Sequence, residues 1–479
     1  MSFRKIEQSI IFLLALTFYG YFIRPGDWNI NSRLGLVKAI VEEKRLVIDS
    51  YHEDELITGD KAYFNGHYYS DKAIGTSLLG AIVYLPIYIV TGQSLSTELF
   101  IMLMTVLAIS IPCALLAPLL YGIALQIVKE KWMALVIALC ISLGTPIFPY
   151  ASAFYGHSLA AVQAFTVFLL WMEVNQFNAK ITPGRLFASG FLIGFMVLTE
   201  YTTLIIAVIL IGYMTYVVRS KQGFPDWKTV GMFFLGGTIP LIIFISYNWI
   251  CFGSPLTIGY ANENNLEFKE VHSQGLMGIE LPNIETLFYM TIHPMQGIFI
   301  QSPVLLMAFS GFMVMKREKK MLAELIAITS MILVYFLVIS GFQIWWGGAA
   351  FTVRHLIPIL PFFGIFFIFV PRKYYKLFIG LGILSFSQML VASAVIYDFV
   401  DKYIRQTLGQ GFALSLSWKN SLFYRELFPR LLHHQLTFTW GKYLFGLESW
   451  YFNFAVPLTI AFVLLTIFYF VSKKEDKTY

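Results

Sequence analysis

Apolar runs close to twenty residues long, the length of one bilayer-crossing helix, recur from one end of the chain to the other with short charged punctuation between them. This pattern predicts roughly twelve spans, over 6–23, 99–127, 133–149, 156–174, 186–199, 201–218, 229–250, 296–315, 321–342, 355–370, 377–397 and 453–471. Segment 74–91 is apolar enough to be a thirteenth. Charge decides against it.

If 74–91 lies along the membrane instead of crossing it, all the short basic loops share one side: Arg4-Lys5, Lys129/Lys131, Lys180/Arg185, Arg219/Lys221/Lys228, Lys316 to Lys320, Arg372/Lys373/Lys376 and Lys473/Lys474/Lys477. They hold more than half of the Lys and Arg residues on far less loop sequence than the other side. The positive-inside rule then places both termini in the cytoplasm of a multi-pass cell (inner) membrane protein. The first run begins with charge, as an export signal does, but Arg24-Pro25-Gly26-Asp27 follows it in place of a small-residue cleavage site. It therefore reads as a retained anchor.

Composition agrees: 57% of the 479 residues are hydrophobic and 13% charged, with mean hydropathy +0.69, which excludes a soluble globular core. The net charge of +6 is spread over juxtamembrane anchors and forms no stripe, so nucleic acid is not a partner and membrane lipids are. Cys113, Cys140 and Cys251 lie in or at the ends of apolar runs without metal-ligand spacing, as small core residues do. The fold class is an all-α integral membrane domain covering 1–479. Its long segments, 24–98 with interfacial helices, 251–295 and 398–452, form an extracytoplasmic crown where the chemistry should lie.

Within 24–98, carboxylates, hydroxyls, a His and a Lys converge: Leu46-Val47-Ile48-Asp49-Ser50-Tyr51, then Thr58-Gly59-Asp60-Lys61-Ala62, then Gly66-His67-Tyr68-Tyr69-Ser70-Asp71-Lys72-Ala73-Ile74-Gly75. Arg354 follows Trp345-Trp346-Gly347-Gly348 and precedes His355, Pro358 and Pro361 at the mouth of an apolar run. A permanent charge there must be answered by an anion or reach out to the interface as a snorkelling anchor. Glu200 lies between two apolar halves and is either an exposed turn residue or a functional carboxylate. His157 sits at another outer hairpin. Aromatic residues such as Tyr69 fit sugar stacking as well as core packing.

These stretches, together with the Asn31-Ser32-Arg33 helix and Phe252-Gly253-Ser254-Pro255-Leu256, resemble the C-type glycosyltransferase superfamily (GT-C), in particular its prokaryotic members related to protein O-mannosyltransferases and the lipid A aminoarabinose transferase. The resemblance implies transfer of a sugar from a polyprenyl-phosphate donor to an envelope acceptor, whether lipid, glycan or protein, on the extracytoplasmic face, with inversion at the sugar carbon. Many members carry an Asp just after the first span, where this chain has Asn29 and Asn31 with Asp27 nearby; Ile74 stands where their turn has Pro.

Acceptor hydroxyls need a base, for which Asp60, Asp49 and Asp27 are the candidates, in that order. Arg354 and Lys72 are placed on the donor phosphate, with His157, Glu200, Arg33, Tyr69 and His355 as further substrate contacts. His67 beside Asp60 and Asp71 admits a divalent metal ion, although no spacing demands one and no metal ligands are assigned. The alternative function is a multi-span transporter or flippase of lipid-linked saccharides, which fits the span count but not the absence of matching halves. An accessory scaffold is a third.

Overall fold

A computed structural model of the chain describes residues 3–224, 226–396 and 400–475. Tyr397 at the end of one expected span, the first two positions of the segment 398–452, and Lys477 lie outside them. All twelve expected runs fall on helices. Seven are long and apolar enough to cross a membrane: Thr97–Val128, His157–Phe177, Tyr201–Gln222, Trp227–Phe252, Leu322–Ser340, Arg372–Ala394 and Trp450–Lys474. Phe3–Tyr21 carries its charges at its start, and Lys131–Ser142, Pro183–Thr199 and Arg354–Phe367 are shorter apolar helices. The run 296–315 is broken into Ile298–Gln301, Pro303–Leu306 and Met307–Arg317, because Pro303 lacks the amide a continuous helix needs.

The helices align so that the basic loops collect at one end of the bundle. Buried Glu7 accepts hydrogen bonds from Tyr121 (2.7 Å) and Ser472 (3.0 Å) and pairs with Lys131 at 3.2 Å, which brings the two ends of the described chain together. At that end Glu324 is held by Asn175, Gln176 and Tyr213 at 2.7, 2.9 and 2.6 Å. A buried carboxylate is tolerated only when its lone pairs are filled in this way.

Helix Gly75–Thr91 begins and finishes at the opposite end. Near its start, Arg33 donates to Ala73 O and Thr76 Oγ1, both at 3.2 Å. Towards its other end, Tyr84 donates to Glu42 at 2.6 Å and buried Lys38 reaches Ser94 at 2.8 Å and Glu55 at 2.5 Å. The helix is thus tied near both ends to the one segment 28–55. Ile82, Leu85, Ile89 and Val90 are left exposed on it.

That same end carries a hairpin, Lys61–Phe64 paired with His67–Ser70, turned by Asn65 and Gly66 at φ 50° and 85°, the left-handed pair that a two-residue turn between twisted strands requires. Its register sets Lys61 opposite Ser70, which brings Asp60 and Asp71, the next residues outward, side by side. A second ladder, Phe22–Ile23 with Phe438–Thr439, fastens the last long loop to the end of the first span.

Helices Pro183–Thr199 and Trp227–Phe252 touch backbone to backbone. A Cβ on Gly190 would collide with the Phe233 carbonyl, and one on Gly236 with the Phe187 carbonyl, so small residues let the axes approach where no hydrophobic drive separates helix from lipid. Gly190→Val is expected to lower the thermal unfolding midpoint of the detergent-solubilised protein, an overpacking cost of about 1–3 kcal/mol or more. Gly231→Ala, in open space on the same helix pair, should raise it slightly.

Candidate active site

The crown encloses a cavity of about 560 Å³, within the range of small-molecule sites. Of the residues singled out in the sequence, Asp27, Arg33, Asp60, Lys72, His157, Glu200, Arg354 and His355 line it. Asp49 and Tyr69 do not. Asp49 is tied on the exposed face of the hairpin to His67 Nδ1 (2.6 Å) and the Tyr68 amide (2.7 Å), while Tyr69 packs on Phe252 with ring centroids 5.4 Å apart. His67 therefore faces Asp49, away from Asp60 and Asp71. Among the described residues no three His, Cys, Asp or Glu side chains are grouped to hold a metal ion.

The hairpin register explains the first wall. The Lys72 ammonium sits between Asp60 (2.9 Å) and Asp71 (2.6 Å), and Ser32 donates to Asp71 at 3.2 Å. Burial works against the Lys72 charge, but Asp60 and Asp71 outweigh it and hold its proton well above the usual range. For Asp71 burial wins and pushes the carboxyl up, despite Lys72. The cluster is clamped and nearly dry.

The second wall joins the first outer segment to the helix pair near Glu200. Arg33, on helix Trp28–Lys38, donates to Glu200 at 2.8 Å and to Asn29, one turn earlier, at 3.0 Å. His157 Nδ1 lies 3.1 Å from the same Glu200 oxygen, and its ring is 5.6 Å from that of His355. Gly156 permits this, since a Cβ there would stand 2.5 Å from Glu200. Burial opposes ionisation of Glu200, but His157 and Arg33 override it and hold the carboxyl below the usual range.

Asp27 caps helix Trp28–Lys38 through the Ile30 amide (2.9 Å), pairs with Arg24 at 2.9 Å, and accepts from Tyr155 at 2.5 Å. The Tyr155 ring faces Arg354, whose guanidinium carbon is 5.2 Å from the ring centre. Asp27 and Asp60 act on the Arg354 charge only from a distance. Among the described residues no carboxylate pairs with it, and its buried Nε has no hydrogen-bond partner. Gly347, at φ 81°, is needed beside it, because a Cβ would meet Arg354 Nε at 2.8 Å.

Tyr155, His272, Trp28, Phe268, Asp401 and Arg405 also line the cavity without having stood out in the sequence, and Tyr260 lines it with them. Tyr260 lies under the Lys72 ammonium at 5.4 Å and against His272 at 4.6 Å. Gly259-Tyr260 was the one signal available for the 251–295 contribution; a lone His or aromatic in an aromatic-rich chain offers none.

No family model matches the chain, and no curated protein is similar to it. Among solved structures it is similar to ArnT from Cupriavidus metallidurans bound to undecaprenyl phosphate, at 13% identity over 97% of this chain and 76% of that one, with a TM-score of 0.46. The apo form of the same protein is similar at 15% identity over 95% and 76%, with a TM-score of 0.47.

Because Glu200 is held ionised, it stabilises the folded state above the ordinary glutamate pKa, and that contribution is lost as pH falls through its depressed folded value. Thermal unfolding should find the wild type more stable than Glu200→Gln near neutrality, with the gap closing as the pH drops below about 4.

Proposed function

We propose that the cavity binds the phosphate of a polyprenyl-phosphate-linked sugar and transfers the sugar to an envelope acceptor at the extracytoplasmic face of the cell membrane, with both chain termini in the cytoplasm. The observation that carries this reading is the Arg354 guanidinium, paired with no carboxylate among the described residues, in a cavity also lined by Lys72, Asp27, Asp60, Glu200 and Asp401. A half-buried cation that no carboxylate pairs with is stabilised by a bound anion. Arginine adds the planar two-pronged geometry that matches phosphate oxygens.

Sugar transfer from such a donor breaks the bond between the anomeric carbon and the phosphate oxygen while the acceptor oxygen bonds that carbon and gives up its proton. Arg354 and Lys72 stabilise the negative charge that the departing phosphate gains. The proton goes to a carboxylate at the cavity wall; Glu200 is held by Arg33 and His157, and Asp401 by Arg405 and Trp346, which leaves Asp60 and Asp27. Asp60 Oδ2 is engaged by Lys72, whereas both oxygens of Asp27 are engaged, by the helix amide and by Arg24 and Tyr155. Asp60 is therefore assigned as the base and Asp27 as the group that positions Tyr155 under Arg354. Asp49, outside the cavity, takes no part in this assignment.

Purified protein offered a panel of polyprenyl-phosphate sugars should transfer or hydrolyse one of them. Arg354→Ala should lower kcat/KM about 10²–10³-fold. Asp60→Asn should lower kcat about 10²–10⁴-fold with donor binding retained, and should do so more than Asp27→Asn, in which the amide oxygen still caps the helix. The reverse ranking would move the base to Asp27. Donor binding with no turnover would favour transport of the lipid-linked sugar, and no donor binding at all would end both readings.

A further inference from the structure

Behind Lys72 lies a carboxylate that nothing above uses. The segment after residue 258 folds onto the hairpin. Gly259 lies against the Asp71 backbone, where a Cβ would stand 2.6 Å from Asp71 Cα, the Asn264 amide donates to Lys61 O at 2.9 Å, and Glu263 forms a bridge with Ala62. This lodges the Glu263 side chain, which is fully buried, beside the clamp of Asp60, Lys72 and Asp71. Among the described residues neither of its oxygens has a hydrogen bond.

The groups facing it are Asp60, Asp71 and Lys72 from the hairpin, Tyr260 from its own segment, and His272 from helix Leu266–Ser273. His272 Nδ1 stands 3.7 Å from Glu263 and has no hydrogen bond. Burial and the nearby Lys72 push that imidazole down to about 4, so it supplies no positive charge at neutral pH. Ionised, Glu263 would be a third buried anion around one ammonium. Burial first and Asp71 second push its carboxyl up to about 10.

We infer that Glu263 is a positioning residue for Lys72: buried and unpartnered behind the clamp, its side chain supplies an O–H that replaces the ammonium as hydrogen-bond donor to the clamp's carboxylates when Lys72 turns to an arriving phosphate. No bond to a heavy atom forms or breaks in this step. The proton stays on Glu263 and only its hydrogen-bond partner changes. The idea rests on the phosphate reading given above, and it adds a reason why an ammonium clamped by two carboxylates is free to leave them.

Two measurements test it. A glutamate protonated in the folded state but ionised in the unfolded chain makes folding take up a proton, so stability falls as pH rises from the ordinary glutamate range towards about 10. The unfolding midpoint of the wild type should therefore drop progressively below that of Glu263→Gln between about pH 5 and pH 9. A difference that stays flat over that range overturns the proposal without reference to any ligand. In the second measurement, undecaprenyl phosphate binding in detergent near neutral pH should be within about twofold of wild type for Glu263→Gln, whose amide still donates, and weaker by about tenfold for Glu263→Leu, which fills the space but cannot donate. Wild-type binding left unchanged by Glu263→Leu overturns this proposal alone; a wild type that does not bind undecaprenyl phosphate overturns the phosphate reading and this proposal with it.

Discussion

A charge held out of water has to be met by another charge or by a full set of donors, and the crown is organised by that requirement. Arg33 meets Glu200, Lys38 meets Glu55, Arg24 meets Asp27, and Lys72 meets Asp60 and Asp71. Each pair joins elements that are distant in sequence or fixes the turn between neighbours, so the same contacts that make the charges tolerable also set where the walls stand. Arg354 is the departure from this pattern, and it faces the space that the other pairs enclose.

Most of that space is built by the first outer segment. Its capped helix supplies Asp27 and Arg33, its hairpin supplies Asp60 and Lys72, and the helix that follows is pinned by Arg33 and Glu42. The spans contribute from below through Glu200, His157 and Arg354, and the segment after Phe252 closes the side with Tyr260 and His272. Much of the site therefore comes from short-range structure in one loop, and the bundle offers it side chains at the ends of helices, His355 among them.

The spans were legible because twenty apolar residues in a row have few other uses, and the break at Pro303 was the main irregularity the pattern did not reveal. Arg354, Lys72, Glu200 and His157 stood out for the same reason in reverse, as polar groups in apolar company. Asp49 and Asp60 looked alike in the sequence, and what separates them is a strand register that sends Asp49 to His67 and Asp60 to Lys72. The all-α reading of the sequence did not include that hairpin, although Asn65-Gly66 is the kind of pair that turns one. Tyr155 and His272 had no comparable mark, since 17% of the chain is aromatic and only the fold selects which rings reach the cavity.

Helix Gly75–Thr91 starts three residues after Lys72, with its apolar side chains Ile82, Leu85, Ile89 and Val90 turned outward. A helix fastened near both ends to the segment that carries Arg33 has no freedom to tilt by itself, so its first turn sets how far Lys72 stands from that outward apolar row. Whatever surface the row rests against, the ammonium keeps a set distance from it.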